Sequence, residues 1–193
     1  MKQAYRLLAT AALLALSAGA LAAGGHNEAA HSDGGRDHGH AHSDLSQGPI
    51  RDYRELTADE ATIQAVLDTY GRAMEQRSVE IMENAVIPGD FSTIESGYAN
   101  WSWEDFRDNH LAVEMDAFTD VNYDMALILG EFQGSLGFAL YRYTASGKVA
   151  GRETGITGLG TAILEATDAG WRIHHLHTSA PRDQLEAAEQ GRH

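Results

Sequence analysis

Between residues 57 and 181 the apolar positions follow two rhythms, first helical and then alternating. Ile63, Val66, Leu67, Tyr70 and Met74 recur at steps of three, four and seven behind a capping box, Thr57-x-x-Glu60. That spacing predicts an amphipathic helix of about five turns. Ser78 heads a shorter helix through Val79, Ile81, Met82 and Ala85, and Pro88-Gly89-Asp90 closes it with turn chemistry. Phe91 to Glu95 reads as a short strand. Ser102-x-x-Asp105 then opens a third helix reaching about Met115, with Trp103, Phe106, His110 and Val113 on one face.

Beyond that point the period falls to two. Val121, Tyr123, Met125, Leu127 and Leu129 share one face of a strand, and Leu136, Phe138 and Leu140 share one face of the next. Ala145-Ser146-Gly147-Lys148 is expected to turn the chain into a glycine-spotted strand from Val149 to Ala166. The glycines in it, Gly151, Gly155, Gly158 and Gly160, suggest bulges or strong bending. Asp168-Ala169-Gly170 reads as the last hairpin turn, and Trp171 to Ser179 as the final strand before Pro181. Helices followed by a meander of strands predict a single α+β domain over 57–181, with a polar tail at 182–193.

The segment ahead of the domain has a different character. Lys2 and Arg6 precede an apolar run from Leu7 to Leu16, and Ala20-x-Ala22 has the spacing that a signal peptidase accepts. Residues 1–22 therefore read as a signal peptide, and the mature protein as exported, to a periplasm or to the medium. No later stretch approaches a membrane-spanning length, so no membrane contact is expected after cleavage. Residues 23–56 are rich in Gly, His, Asp and Ser and too polar to bury a core, which predicts a disordered linker. His26, His31, His38, His40 and His42 lie in it among Asp33, Asp37 and Asp44. Such a tract is a candidate collector of copper, zinc or nickel, densest at His38, His40 and His42. It reads equally as a solvated spacer, or as a stretch that charges in a mildly acidic compartment.

Composition narrows the function classes. The 193 residues contain no cysteine, so disulfides, thiolate metal sites and a cysteine nucleophile are excluded. With 14 Lys+Arg against 28 Asp+Glu, a formal charge of −14, the clustered positive charge that a nucleic-acid partner requires is absent.

Candidate chemistry gathers around histidines. Strict alternation places Trp171, Ile173, His175, His177 and Ser179 on one face of the last strand. If Trp171 and Ile173 cover the interior, His175 and His177 point inward, where His110 could join them as a zinc, copper or nickel site. Glu114, Glu95 and Glu153 are then the candidate acceptors for the second ring nitrogens. The same histidines also read as pocket residues hydrogen-bonded to Tyr, Ser or carboxylate neighbours, or, for His177, as simply exposed near the strand end. A second hypothesis is general acid–base catalysis, with His175 and Glu114 as the catalytic candidates and Tyr123, Tyr141 or Tyr143 as donors to an oxyanion. Tyr98, Trp101 and Trp103, near Asn100, read as a pocket rim or as the plug that seats the third helix. Asp105, Asp108 and Asp116 read as a solvated helix face, and Arg142 and Arg152 as surface ion-pair partners.

The helix pair, third helix and strand meander ending in Gly170-Trp171-Arg172-Ile173-His174-His175-Leu176-His177-Thr178-Ser179, together with Ser96-Gly97-Tyr98-Ala99-Asn100-Trp101, resemble the nuclear-transport-factor-2-like superfamily. More narrowly, they resemble its SnoaL-like branch, over Ala58 to Ala180. The resemblance implies a cone of curved antiparallel sheet around helices, with one deep pocket and frequent homodimers. Members include isomerases, cyclases, dehydratases, hydrolases and plain binders, so the fold alone does not select among them. The expectation is an exported binder of a small molecule or transition metal, with an acid–base enzyme as the alternative and a dimerisation or scaffold module as a third reading. The expected pocket comprises Glu95, Asn100, Trp101, Trp103, His110, Glu114, Tyr123, His175 and His177.

Overall fold

The computed structural model describes residues 55–181. The segment expected to be a signal peptide, the histidine-rich stretch with His38, His40 and His42, and the tail at 182–193 lie outside the described residues.

Helix α1 (Ala58–Gln76) begins where Thr57 and Glu60 cap each other reciprocally, and α2 (Val79–Ala85) begins at Ser78, whose side chain accepts from the Ile81 N–H. Both starts were legible because a cap satisfies backbone N–H groups that the helix itself cannot. Strand β1 (Ser92–Glu95) turns through Ser96-Gly97 into β2 (Tyr98–Asn100), a hairpin that the hydrophobic pattern did not reveal. Both turn residues have positive φ, 49° and 93°, the left-handed pair that a two-residue hairpin loop requires.

Four long strands follow: β3 (Phe118–Gln133), β4 (Leu136–Val149), β5 (Arg152–Thr167) and β6 (Gly170–Ser179). The sheet order is β2-β1-β6-β5-β4-β3, with β1 parallel to β6 and every other pair antiparallel. The expected turn at Ala145–Lys148 lies inside β4. The chain reverses instead at Ala150 and Gly151, both left-handed, and a Cβ on Gly147 would lie 2.9 Å from the Thr119 carbonyl oxygen. Gly147 is thus a point of close backbone approach rather than a turn.

Helix α1 covers the concave face of the sheet. Ile63, Leu67, Tyr70, Met125, Tyr141, Leu164, Ile173 and Leu176 are almost fully buried between the two layers. At about 1.5–3 kcal/mol for each large apolar side chain removed from water, this layer dominates the stabilisation. Phe91, Trp103 and Phe106 close one end with ring centroids 5.2 to 6.1 Å apart. Trp103 is therefore core, 3% exposed.

Two bulges decide which way the strands face. In β3, Leu127 pairs with Tyr141 but Leu129 pairs with Leu140, so Ile128 is an extra residue and the alternation reverses there. Val121, Tyr123, Met125 and Leu127 stay on the inner side, while Leu129 joins Leu136 and Leu140 on the outer face. In β6, Ile173 pairs with Leu164 and His175 with Ile163, which leaves His174 as the extra residue. Ile173, Leu176 and Thr178 consequently point inward and His175 and His177 outward.

Candidate functional site

Helix α3 (Trp103–Phe106) passes into a π turn (Arg107–Leu111) and then α4 (Ala112–Ala117). The Ala112 N–H bonds the Arg107 carbonyl five residues back, the signature of one inserted residue. The insertion keeps His110 and Leu111 both buried. The uninterrupted helix expected from the periodicity would have placed Val113 on the inner face. Val113 is instead only half-buried, and Glu114 faces the cavity.

His110 is held from both sides of its ring. Nδ1 lies 3.0 Å from Asn100 Oδ1, while Asn100 Nδ2 donates to Asp105 at 2.9 Å, which fixes the amide so that its oxygen accepts from the ring N–H. Asp105 also accepts from Asn109 Nδ2 at 2.9 Å. The Asn109 and Asn100 bonds hold its carboxyl below the usual range. Asp105, expected on a solvated face, is only partly covered there, yet it anchors the buried Asn100–His110 pair from the surface side, a role that no local periodicity signals.

On the other side, His110 Nε2 stands 3.3 Å from Glu95 and 3.5 Å from Glu114. Nε2 is out of contact with solvent, and neither approach is a well-directed hydrogen bond, so the contact is an ion pair shared between two carboxylates. Burial of the ring opposes its charge, but Glu95 and Glu114 together outweigh it and lift His110 to about 11. The ring is an imidazolium at neutral pH. Burial raises the Glu114 carboxyl, partly offset by the adjacent His110 imidazolium and reinforced by the nearby Glu95 charge. Tyr98 and Phe106 pack edge-on or tilted against the imidazole at 5.9 and 5.3 Å between centroids.

Glu95 and Glu114 line a cavity of about 130 Å³, whose other walls include Tyr70, Met74, Met115, Phe118, Tyr123 and Tyr143. The size is close to that of an engineered apolar cavity that admits benzene, which suits one ring or a short chain. Tyr123 and Tyr143 stack at 6.3 Å. Burial, reinforced by Glu95, pushes the Tyr143 hydroxyl up to about 12, and burial raises Tyr70 and Tyr123 well above their ordinary value. All three are neutral hydrogen-bonding hydroxyls at physiological pH.

The residues singled out from sequence therefore separate. Glu95, Glu114 and Tyr123 line the cavity, with His110 and Asn100 behind the carboxylates. Trp101 is 73% exposed and borders no part of the cavity, and Trp103 is buried in the core. His175 points away and meets Ser92 Oγ at 2.8 Å through Nδ1, and His177 is exposed. The copper, zinc or nickel site of His110, His175 and His177 is not assembled, because the bulge at His174 turns the last two outward. Glu153 is exposed and pairs with Lys148 at 3.6 Å. Arg77 and Ser96, which the hydrophobic pattern did not mark, also border the cavity.

The family profile described as a SnoaL-like domain matches residues 63–183. No curated protein matches the chain. Among solved structures, a nuclear-transport-factor-2-like superfamily protein from Salmonella enterica serovar Typhimurium is similar at 17% identity and a TM-score of 0.56, over 62% of this chain and 88% of that one. A protein from Kribbella flavida is similar at 13% identity and 0.58, over 67% and 97%. A candidate dehydratase of the same superfamily from Streptomyces avermitilis is similar at 15% identity and 0.55, over 63% and 94%. At these identities the likeness establishes the fold, a nuclear-transport-factor-2-like α+β cone.

Proposed function

We propose, on the premise that this chain belongs to the SnoaL-like domain family, that its cavity performs general acid–base chemistry on a small, largely apolar carbonyl compound. The observation that carries the proposal is the pair of cavity carboxylates, Glu95 and Glu114, backed by one buried imidazolium. One carboxylate removes a proton from the carbon beside the carbonyl. The electron pair of that C–H bond forms the new C=C bond, and the carbonyl oxygen gains the negative charge. Tyr123 or Tyr143, neutral and facing the cavity, donates to that oxygen, and the carboxyl returns its proton to carbon. His110, itself buried, supplies the compensating charge behind the two carboxylates. The dehydratase description of the Streptomyces avermitilis structure falls in the same class of proton-transfer reaction. Export of the enzyme is part of the proposal and rests on the sequence of residues 1–22.

The test is deuterium wash-in. The full chain is incubated in D₂O with cyclohexanone, phenylacetone and similar ketones, and loss of the α-hydrogen signal is followed by proton NMR. The expected result is exchange above the buffer rate, reduced about 10²–10⁴-fold in E95Q or E114Q. No acceleration with any ketone would count against the reading.

A second reading has its own support. Donor atoms of Glu95, His110 and Glu114 all lie within 4.8 Å of one another, and Nε2 has no hydrogen-bond partner. With Nδ1–H held by Asn100, that is also the donor set of a divalent cation site. Metal analysis of protein purified without a histidine tag, before and after dialysis against EDTA, separates the two. Exchange that persists in metal-free protein favours the proton, and exchange that vanishes and returns with zinc or manganese favours the cation.

A further inference from the structure

The cavity is asymmetric in charge, and the asymmetry bears on what enters it. Glu95 and Glu114 supply its acidic wall, and Arg77 is the one Lys or Arg among the residues that border it. Arg77 is exposed, so it stands where the cavity meets solvent. It makes no ion pair with a described residue, whereas Arg107 and Lys148 are both engaged by neighbouring carboxylates. Its backbone is also unusual. Arg77 is the C-cap of α1 at φ 53° and ψ 44°, and its N–H closes the helix on the Ala73 and Met74 carbonyls. Glycine or asparagine takes that left-handed position more readily. An arginine there places a long cationic side chain at the mouth.

Helix geometry sets the length scale. Tyr70, Met74 and Arg77 follow one another at steps of four and three, and all three border the cavity. Tyr70 and Met74 lie one turn apart on α1 and Arg77 is the left-handed residue just past its end, so these wall residues run from the buried Tyr70 to the exposed Arg77 over about 10 Å at the helical rise per residue. These wall residues therefore pass from the buried ring of Tyr70, through the thioether of Met74, to a guanidinium.

We infer that the ligand of this cavity is a small monocarboxylate: an apolar body of one ring or a short chain lies between the walls, and its carboxylate pairs with Arg77 at the mouth. The inference rests on the proposed reading in taking the cavity as the place where substrate binds. Charge fixes the orientation. A ligand carboxylate set against Glu95 and Glu114 would meet like charge and lose solvation without a partner, whereas beside Arg77 it meets a planar cationic fork. The carbonyl end then points at the proton-transfer groups.

The test uses matched pairs: phenylacetate with phenylacetamide, 3-phenylpropionate with its amide, and hexanoate with hexanamide. Each is titrated by calorimetry at low salt into the full chain and into R77Q, R77K and E114Q. The expected result is acid binding about tenfold or more tighter than amide. R77Q should erase that preference without weakening the amide, R77K should keep part of it, and E114Q should leave it intact or enlarge it. Equal affinities, no binding by any acid, a preference that survives R77Q, or one lost equally in E114Q would overturn the inference. Acid preference through Arg77 without any α-hydrogen exchange would leave this inference standing while the acid–base reading fell.

Discussion

Oδ1 of Asn100 lies 3.0 Å from Nδ1 of His110, and both residues are withdrawn from solvent, 0% and 4% exposed. The contact ties the end of β2 to the π turn ten residues later, and through Asp105 it continues to the first turn of α3. Asn100→Ala would leave the His110 ring N–H unpaired in a buried setting and take one donor from the partly exposed Asp105. The expected cost is about 1–3 kcal/mol, measured by urea unfolding, with a changed His110 ring-nitrogen shift in nitrogen-15 NMR. An unchanged ring-nitrogen spectrum would show that Asn100 does not orient the imidazole.

The His110 charge predicts a pH dependence of stability. Its folded pKa, about 11, stands above the ordinary value of 6.5. The folded state therefore holds a proton that the unfolded chain releases, and this stabilisation is complete below pH 6.5 and lost as pH rises through 11. Wild type should lose stability between pH 7 and pH 10 more steeply than His110→Gln. Urea midpoints of the two proteins across that range provide the comparison, and parallel curves would contradict the assignment.

Glu114→Gln removes one of the two carboxylates that sustain the imidazolium while keeping the side chain's shape. The His110 pKa should fall, and the titration of its ring protons by NMR reads this directly. Because burial already opposes ionisation of Glu114, the substitution should not unfold the protein. A thermal midpoint near wild type combined with lost α-hydrogen exchange would assign the residue to the chemistry rather than to stability.

His175 and His177 supply the contrast. His177→Ala should change stability by no more than about 0.5 kcal/mol, as exposed substitutions usually do. His175→Ala loses the bond to Ser92 Oγ and should cost about 1 kcal/mol. Neither should alter the His110 titration or the exchange rate. A shift of the His110 pKa in His177→Ala would mean that the last strand faces inward after all.

How much of this was readable in advance depends on the range of the interaction. Thr57 with Glu60, Ser78 with Ile81, and Ser102 with Asp105 are contacts three residues apart, and each helix start could be read from its cap. The division into helices and then strands followed from the change of period near Val121. Glu95 and Glu114 were legible as candidate partners of the His110 ring, with Glu114 one helical turn away, but that both close on the same nitrogen and that Glu153 stays outside was not, because β1 and the α3–α4 segment come together only through the hairpin at Ser96-Gly97 and the buried Asn100. Arg77 offered no signal, since nothing in its local sequence shows that the residue ending α1 borders a cavity whose other walls come from β1, α4, β3, β4 and β5.

The sequence by itself determined the fold class, the helix starts and the set of ionisable residues available for chemistry, because these depend on local hydrogen bonding and on which side chains water excludes. Tertiary structure alone decided the facing of β6 and the composition of the site. A β-bulge is a register choice made between two strands, and one extra residue at His174 sends His175 and His177 to the outer face. A π turn is likewise a packing solution, and one inserted residue brings His110, Leu111 and Glu114 inward together. Strict periodicity carries no record of either insertion.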